Sequence, residues 1–203
     1  PRLVLALDRM AIEEAGTDPV RLARAIHRQL GAWPGAIPIH EIARALDITQ
    51  IRAEPLTHCE GALVTTAERN TGAILVNANV GPRRQRFTIA HELGHFLNPS
   101  HEPSDPHGFW CNGEDLRQRP LPGLDGHRRQ EGEANTFAIE LVAPEHHFAR
   151  VSSRVPDLEQ IVDLATRLEL SREATARCYV ALHARPCAAL SIKDGCLRYF
   201  DHH

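Results

Sequence analysis

Lysine is almost missing from this chain: of 23 basic residues only Lys193 is a lysine, and the rest are arginines. Net charge is −3 with histidine neutral, so the broad positive field of a dedicated nucleic-acid binder is absent and only local patches remain. No apolar run approaches the ~18 residues of a membrane span. Residues 3–7 are apolar, but the run is short and is broken by Asp8 and Arg9, which is not the pattern of a secretion signal. Cysteine is sparse and odd in number. Cys59, Cys111, Cys178, Cys187 and Cys196 are scattered without a CxxC pair, which supports neither a disulfide framework nor a cysteine zinc finger. Cys178 and Cys187 fit buried small hydrophobes. These absences point to a cytoplasmic protein with reduced thiols.

What the chain does have is enough apolar content, 42% over 203 residues, to bury a core as one domain or one domain with a small appendage. At its centre stands Phe87-Thr88-Ile89-Ala90-His91-Glu92-Leu93-Gly94-His95-Phe96-Leu97. On a helix of about 3.6 residues per turn, His91 and His95 share a face and can grip one ion. Glu92 lies about 100° round the axis, close enough to reach a water on that ion without ligating it. The pattern is that of a catalytic zinc site. Ile89, Leu93, Phe96 and Leu97 form an apolar stripe that buries the other side and leaves the histidines facing a cleft. Gly94, costing roughly 1 kcal/mol against Ala in a helix, signals close approach of another segment or ligand, or plain packing.

Zinc held by three groups with a fourth position open to water needs one more protein ligand. Residues 129–144, rich in helix formers and ended by Pro144, supply candidates. Glu131, Asn135, Ala138 and Val142 share one face, and Glu133, Phe137 and Leu141 another. Glu131 is the preferred third ligand, with Asn135 placed to hydrogen-bond a ligating imidazole. Glu133 is the alternative, expected instead as an exposed, solvated carboxylate.

Taken together, FTIAHELGHFL and the later EGEANTFAIELVAP resemble the ImmA/IrrE metallopeptidase family over residues 38–151. The resemblance implies an α+β, zincin-like fold, and it puts the third ligand on the Glu four residues before the Asn, which is Glu131. It also implies an endopeptidase that cleaves helix-turn-helix repressors in stress response or mobile-element control. One departure stands out: the family's Leu-Leu-Met-Pro ending reads Leu141-Val142-Ala143-Pro144 here, a packing change that leaves the ligands intact. On this reading His91, His95 and Glu131 hold Zn²⁺, with Mn²⁺ or Fe²⁺ also suited to such donors, and Glu92 is the general base. A reading from another class is a metal-dependent sensor that contacts a transcription factor without cutting it. Glu92 favours the enzyme, because a binding module needs the ligands but not the base.

Elsewhere, Asp18-Pro19 opens a helix that ends near Gly31, and a short helix covers residues 39–46. Strands are expected at 49–53, 61–66 and 73–77, the last two as a hairpin in a small antiparallel sheet with an edge free to pair with an extended peptide. Residues 100–126 read as a long loop between the two ligand helices. Within it, Phe109 and Trp110 are expected to plug the loop onto the core, while Cys111 or His107 has the chemistry to cap the open zinc position. His146, His147, Tyr179, Tyr199 and Arg128 are alternative donors to a developing oxyanion. Residues 1–151 are assigned to the metallopeptidase domain. Residues 152–203, two helices around a turn followed by two β-prone runs, form a helix-turn-helix or winged-helix-like appendage. With Glu173 beside Arg172 and Arg177, that segment is expected to recognise a protein partner rather than DNA. The oligomeric state is left open.

Overall fold

Side-chain caps start the helices where the sequence marks them. In the computed structural model, which describes residues 3–103, 108–117 and 125–202, Asp8 accepts from the first turn of α1 (Arg9–Glu13), and Asp18 from α2 (Pro19–Leu30). Helix α3 (Ile39–Ala45) leads into strands β1 (Ile48–Glu54), β2 (Gly61–Thr65) and β3 (Gly72–Asn77). The histidine helix α4 (Pro82–Leu97) follows, then β4 (Gly108–Cys111), a 3-10 turn at Asp115–Arg117, and α5 (Gly126–Val142). Beyond it come α6 (Ala149–Ser152), α7 (Leu158–Arg167), α8 (Arg172–Leu182) and the strands β5 (Ala188–Lys193) and β6 (Cys196–His202). The chain forms two compact units: Pro1–Gly31 with Pro38–Val142, and Ala32–Ile37 with Ala143–His203.

In the first unit the sheet runs in the order β1-β3-β2-β4. The expected antiparallel sheet is in fact mixed. β2 and β3 make the hairpin, but β1 lies on the far side of β3 and runs parallel to it, because the chain reverses between Glu54 and Gly61. The long loop also needs correcting. Residues 108–111 form a strand antiparallel to β2, so β4 and not β2 is the edge of the sheet on that side.

Helix α4 packs against α5 on one side and against β2 and β3 on the other, and every residue from Thr88 to Leu97 is buried. The histidine face is buried together with the rest of this part of the helix. Gly94 is explained by close approach: a Cβ there would stand 2.9 Å from Cδ1 of Phe137 on α5. Gly61 does the same for β2, where a Cβ would run into the Thr88 side chain and come within 2.7 Å of Glu92 Oε1. Arg69, at φ 49° in the β2–β3 turn, donates to the carbonyls of His95 and Asn98, groups that the end of a helix leaves unpaired, and to that of His101 beyond it.

In the second unit, Asp157 and Ser171 cap α7 and α8, whose apolar faces bury Ile161, Leu164, Ala165, Ala176 and Val180. The residues joining these helices turn tightly, with Glu169 at φ 54°. β5 and β6 pair antiparallel, Leu190 opposite Phe200, and α8 contacts both strands.

Candidate metal centre

One helical turn carries His91 and His95 to the same side of α4, and the next helix brings Glu131 to them. His91 Nε2 lies 3.1 Å from His95 Nε2 and 3.1 Å from Glu131 Oε2, and His95 Nε2 lies 3.4 Å from Glu131 Oε1. The predicted trio thus converges. β4 adds a fourth donor: Cys111 Sγ stands 3.2 Å from His91 Nε2 and 3.8 Å from His95 Nε2. The ligand atoms of all four residues lie within 4.8 Å of one another, and all four residues are buried.

The outer nitrogens of both rings are tied in ways that fix which nitrogen faces inward. Asn135 Nδ2 donates to the Asp115 carbonyl at 2.7 Å, which turns its Oδ1 to His91 Nδ1, 2.9 Å away. That nitrogen must carry the proton, so the Nε2 lone pair of His91 faces the other donors. For His95 the chain of contacts is longer. Its Nδ1 is 3.0 Å from His101 Nδ1, and His101 Nε2 is 3.0 Å from Glu133 Oε2. With Nε2 of His95 turned inward, His95 Nδ1 donates to His101, and His101 Nε2 donates to Glu133. Glu133 is therefore not the solvated carboxylate expected of it but the end of a relay that orients a ligand. Phe109 stacks on His95 with ring centroids 4.6 Å apart, so that residue is indeed plugged onto the core, whereas Trp110 is exposed.

Burial lowers the pKa of His95 to about 3, which keeps the ring neutral, as a ligand must be. Burial pushes the Glu131 carboxyl upward, but its close neighbours His91 and His95 outweigh it and hold the group well below the usual carboxylate range. Glu92 goes the other way. Fully buried and close to Glu131 and Asp115, its carboxyl is raised well above its ordinary value. The Cys111 thiol lies near enough to temper that rise, but neither Glu92 oxygen reaches full hydrogen-bond geometry with any described residue. An orphaned buried acid is costly unless something else satisfies it, and a water on an ion would do so.

Not every candidate is brought here. Arg128 sits on the surface of α5 beside Asp125, its Nε 3.8 Å from Oδ2. His147, Tyr179 and Tyr199 belong to the second unit, where His147 meets the Trp33 carbonyl at 2.9 Å and Tyr179 donates to Gln160 at 3.0 Å. His146 belongs to that unit too, and His107 lies outside the described residues. The sequence reading missed His101 and His127. His127 Nε2 is 3.4 Å from Asp115 Oδ1 and its Nδ1 is 3.7 Å from Glu131 Oε1. The four-residue spacing from His127 to Glu131, one turn apart on a helix, was the available signal.

The donor chemistry suits a borderline divalent ion such as zinc: two neutral imidazoles, an ionised carboxylate, a thiol, and beside them a carboxyl free to move a proton. In class this is a domain with a buried group of donors that could hold a metal ion. Residues 45–178 match the peptidase M78 family, described as the IrrE N-terminal-like domain, and the chain belongs to that family. It is 31% identical over 161 residues to the radiation response metalloprotease IrrE of Deinococcus radiodurans, covering 76% of this chain and 44% of that protein. The protein of the same name from Deinococcus deserti is 37% identical over 79 residues, covering 37% of this chain and 27% of the relative. An uncharacterized immunity region protein 2 of Bacillus phage phi105 is 34% identical over 73 residues, 36% of this chain and 38% of that protein. The chain spans less than half the length of each of these relatives.

Proposed function

We propose that this chain is a metal-dependent endopeptidase in which His91, His95 and Glu131 hold Zn²⁺ and Glu92 is the general base. The observation that carries the reading is the convergence of those three ligand side chains beside a second, fully buried acid, Glu92. A divalent ion bound there acidifies a water and polarises the scissile carbonyl. Glu92, buried beside the ligands, takes the proton from the attacking water and delivers it to the leaving amide nitrogen. Asn135 and the His101–Glu133 pair keep the ligating rings in one tautomer throughout.

The substrate we infer is a helix-turn-helix repressor, in stress response or mobile-element control. The printed names of the relatives support it, one a radiation response metalloprotease and another a phage immunity region protein. We place the protein in the cytoplasm: no helix among the described residues is long and apolar enough to cross a membrane, and no disulfide joins any of the five cysteines. Residues 152–203 we read as a winged-helix-like appendage that recognises a protein partner. Arg177, on the helix that would read DNA, is engaged by the Tyr199 ring at 4.4 Å and by Asp201 at 3.1 Å.

A second reading, a metal-dependent regulator that binds a transcription factor without cutting it, is favoured by Cys111, since four protein donors are the complement of a closed structural site. One experiment separates them. Repressors encoded beside the gene are incubated with the zinc-loaded protein and with Glu92→Gln. Cleavage by the native protein alone supports the peptidase, and a stable uncut complex with both supports the regulator.

A further inference from the structure

We propose that Cys111 is the fourth metal ligand of the resting protein, so that strand β4 closes the centre. The proposal rests on the reading of His91, His95 and Glu131 as ligands. It adds an internal occupant for the position that a working hydrolase keeps open.

Two features of the same strand support it. The first is where the sulfur lies. It stands 3.2 Å and 3.8 Å from the two inward nitrogens, within the 4.8 Å limit that also contains the Glu131 oxygen, so one ion can touch all four donors. A buried cysteine that merely packs has apolar neighbours, whereas this one is surrounded by two imidazoles and the carboxylates of Glu92 and Glu131. The second is how the strand is seated. Cys111 is in register with Gly61, and its carbonyl accepts from Glu60 N at 2.9 Å, so the backbone fixes the height of the thiol over the rings. At the other end of the strand Gly108 has φ 149°, and a Cβ there would collide with the Leu63 carbonyl. Only glycine lets β4 lie flush on β2.

The strand thus carries the occupant of the site. Its thiol fills the coordination position, and its pairing with β2 holds the thiol there. When the ion binds, the S–H bond breaks, the proton leaves to solvent, and a metal–sulfur bond forms. Opening is the reverse: the metal–sulfur bond breaks, the thiol takes a proton back, and β4 withdraws with it.

The test is spectroscopic and uses the full chain. X-ray absorption of the zinc-loaded protein is expected to show one sulfur at about 2.3 Å beside nitrogen and oxygen at about 2.0–2.2 Å. With cobalt in place of zinc, a thiolate-to-metal band in the near ultraviolet is expected, lost in Cys111→Ala while the visible ligand-field bands persist. Acetohydroxamate, which seeks an open position, should then shift the cobalt spectrum of Cys111→Ala and leave that of the native chain unchanged. A sulfur-free shell in the metal-loaded native chain overturns the proposal and leaves the peptidase reading standing. So does an equal response of both chains to the hydroxamate. Failure of the native chain to take up either metal overturns both.

Discussion

Asn135 Oδ1 lies 2.9 Å from His91 Nδ1 because the other end of the same amide is anchored, its Nδ2 donating to the Asp115 carbonyl at 2.7 Å. The amide cannot flip without losing both bonds, so His91 is held in the tautomer that ligates. Asn135→Ala is expected to weaken metal binding by roughly 10- to 100-fold, read by competition with a chromophoric chelator. Undiminished affinity would mean that the ring needs no such guide.

Glu92→Gln is expected to lower cleavage by about 10²–10⁴-fold with the metal still bound, as metal analysis of the purified variant would show. In the metal-free protein the same change should stabilise. The folded-state pKa of Glu92 is raised, so its cost is absent below the ordinary 4.5 and grows as pH rises above it. Native and variant proteins should therefore melt together in acid, with the variant higher at neutral pH, by about 2–4 °C per kcal/mol of relieved burial. Equal melting temperatures at neutral pH would show that the carboxylate is satisfied without the ion.

How much of this could be read from the residues depends on how local each signal was. The helix starts at Pro19 and Arg172 follow from neighbouring caps, and the Glu131–Asn135 face follows from spacing on one helix. β4 could not be read. It is four residues long and lies in a stretch crowded with proline and glycine, and its pairing with β2 spans some 50 residues of chain. Cys111 could be suspected from its chemistry, but its place beside His91 depends on that distant register. Glu133 was misjudged for a related reason: its partner His101 lies beyond the Asn98-Pro99 stop of α4, where helical periodicity says nothing.

Acid should unfold the metal-free protein early. Burial holds His95 near 3 against 6.5 when unfolded, so as pH drops below 6.5 the unfolded chain gains a proton that the folded one refuses. Stability then falls by about 1.4 kcal/mol per pH unit for this group, levelling off near its folded value. Glu131, depressed by its two imidazole partners, adds a loss in the same direction below 4.5. Glu92 works the other way over part of this range, so denaturant titrations of the metal-free Glu92→Gln chain from neutral to acid pH should trace this slope. A flat profile in that variant would contradict the burial of His95.

Gly94→Ala should destabilise although alanine is the better helix former by about 1 kcal/mol. The added methyl would meet Phe137 at 2.9 Å, and overpacking of this kind costs typically 1–3 kcal/mol. Pairing it with Phe137→Leu should recover most of the loss. Thermal melts of the single and double variants, with metal affinity measured alongside, check the expectation.

Arg69 links all of this to a part of the chain that carries no chemistry. From a hairpin turn it gathers the last carbonyls of α4 and that of His101, so the sheet, the end of the helix and the relay behind His95 share one fastening. Genetic variation at this arginine would therefore show itself as poor metal retention, although the residue never comes near the ion.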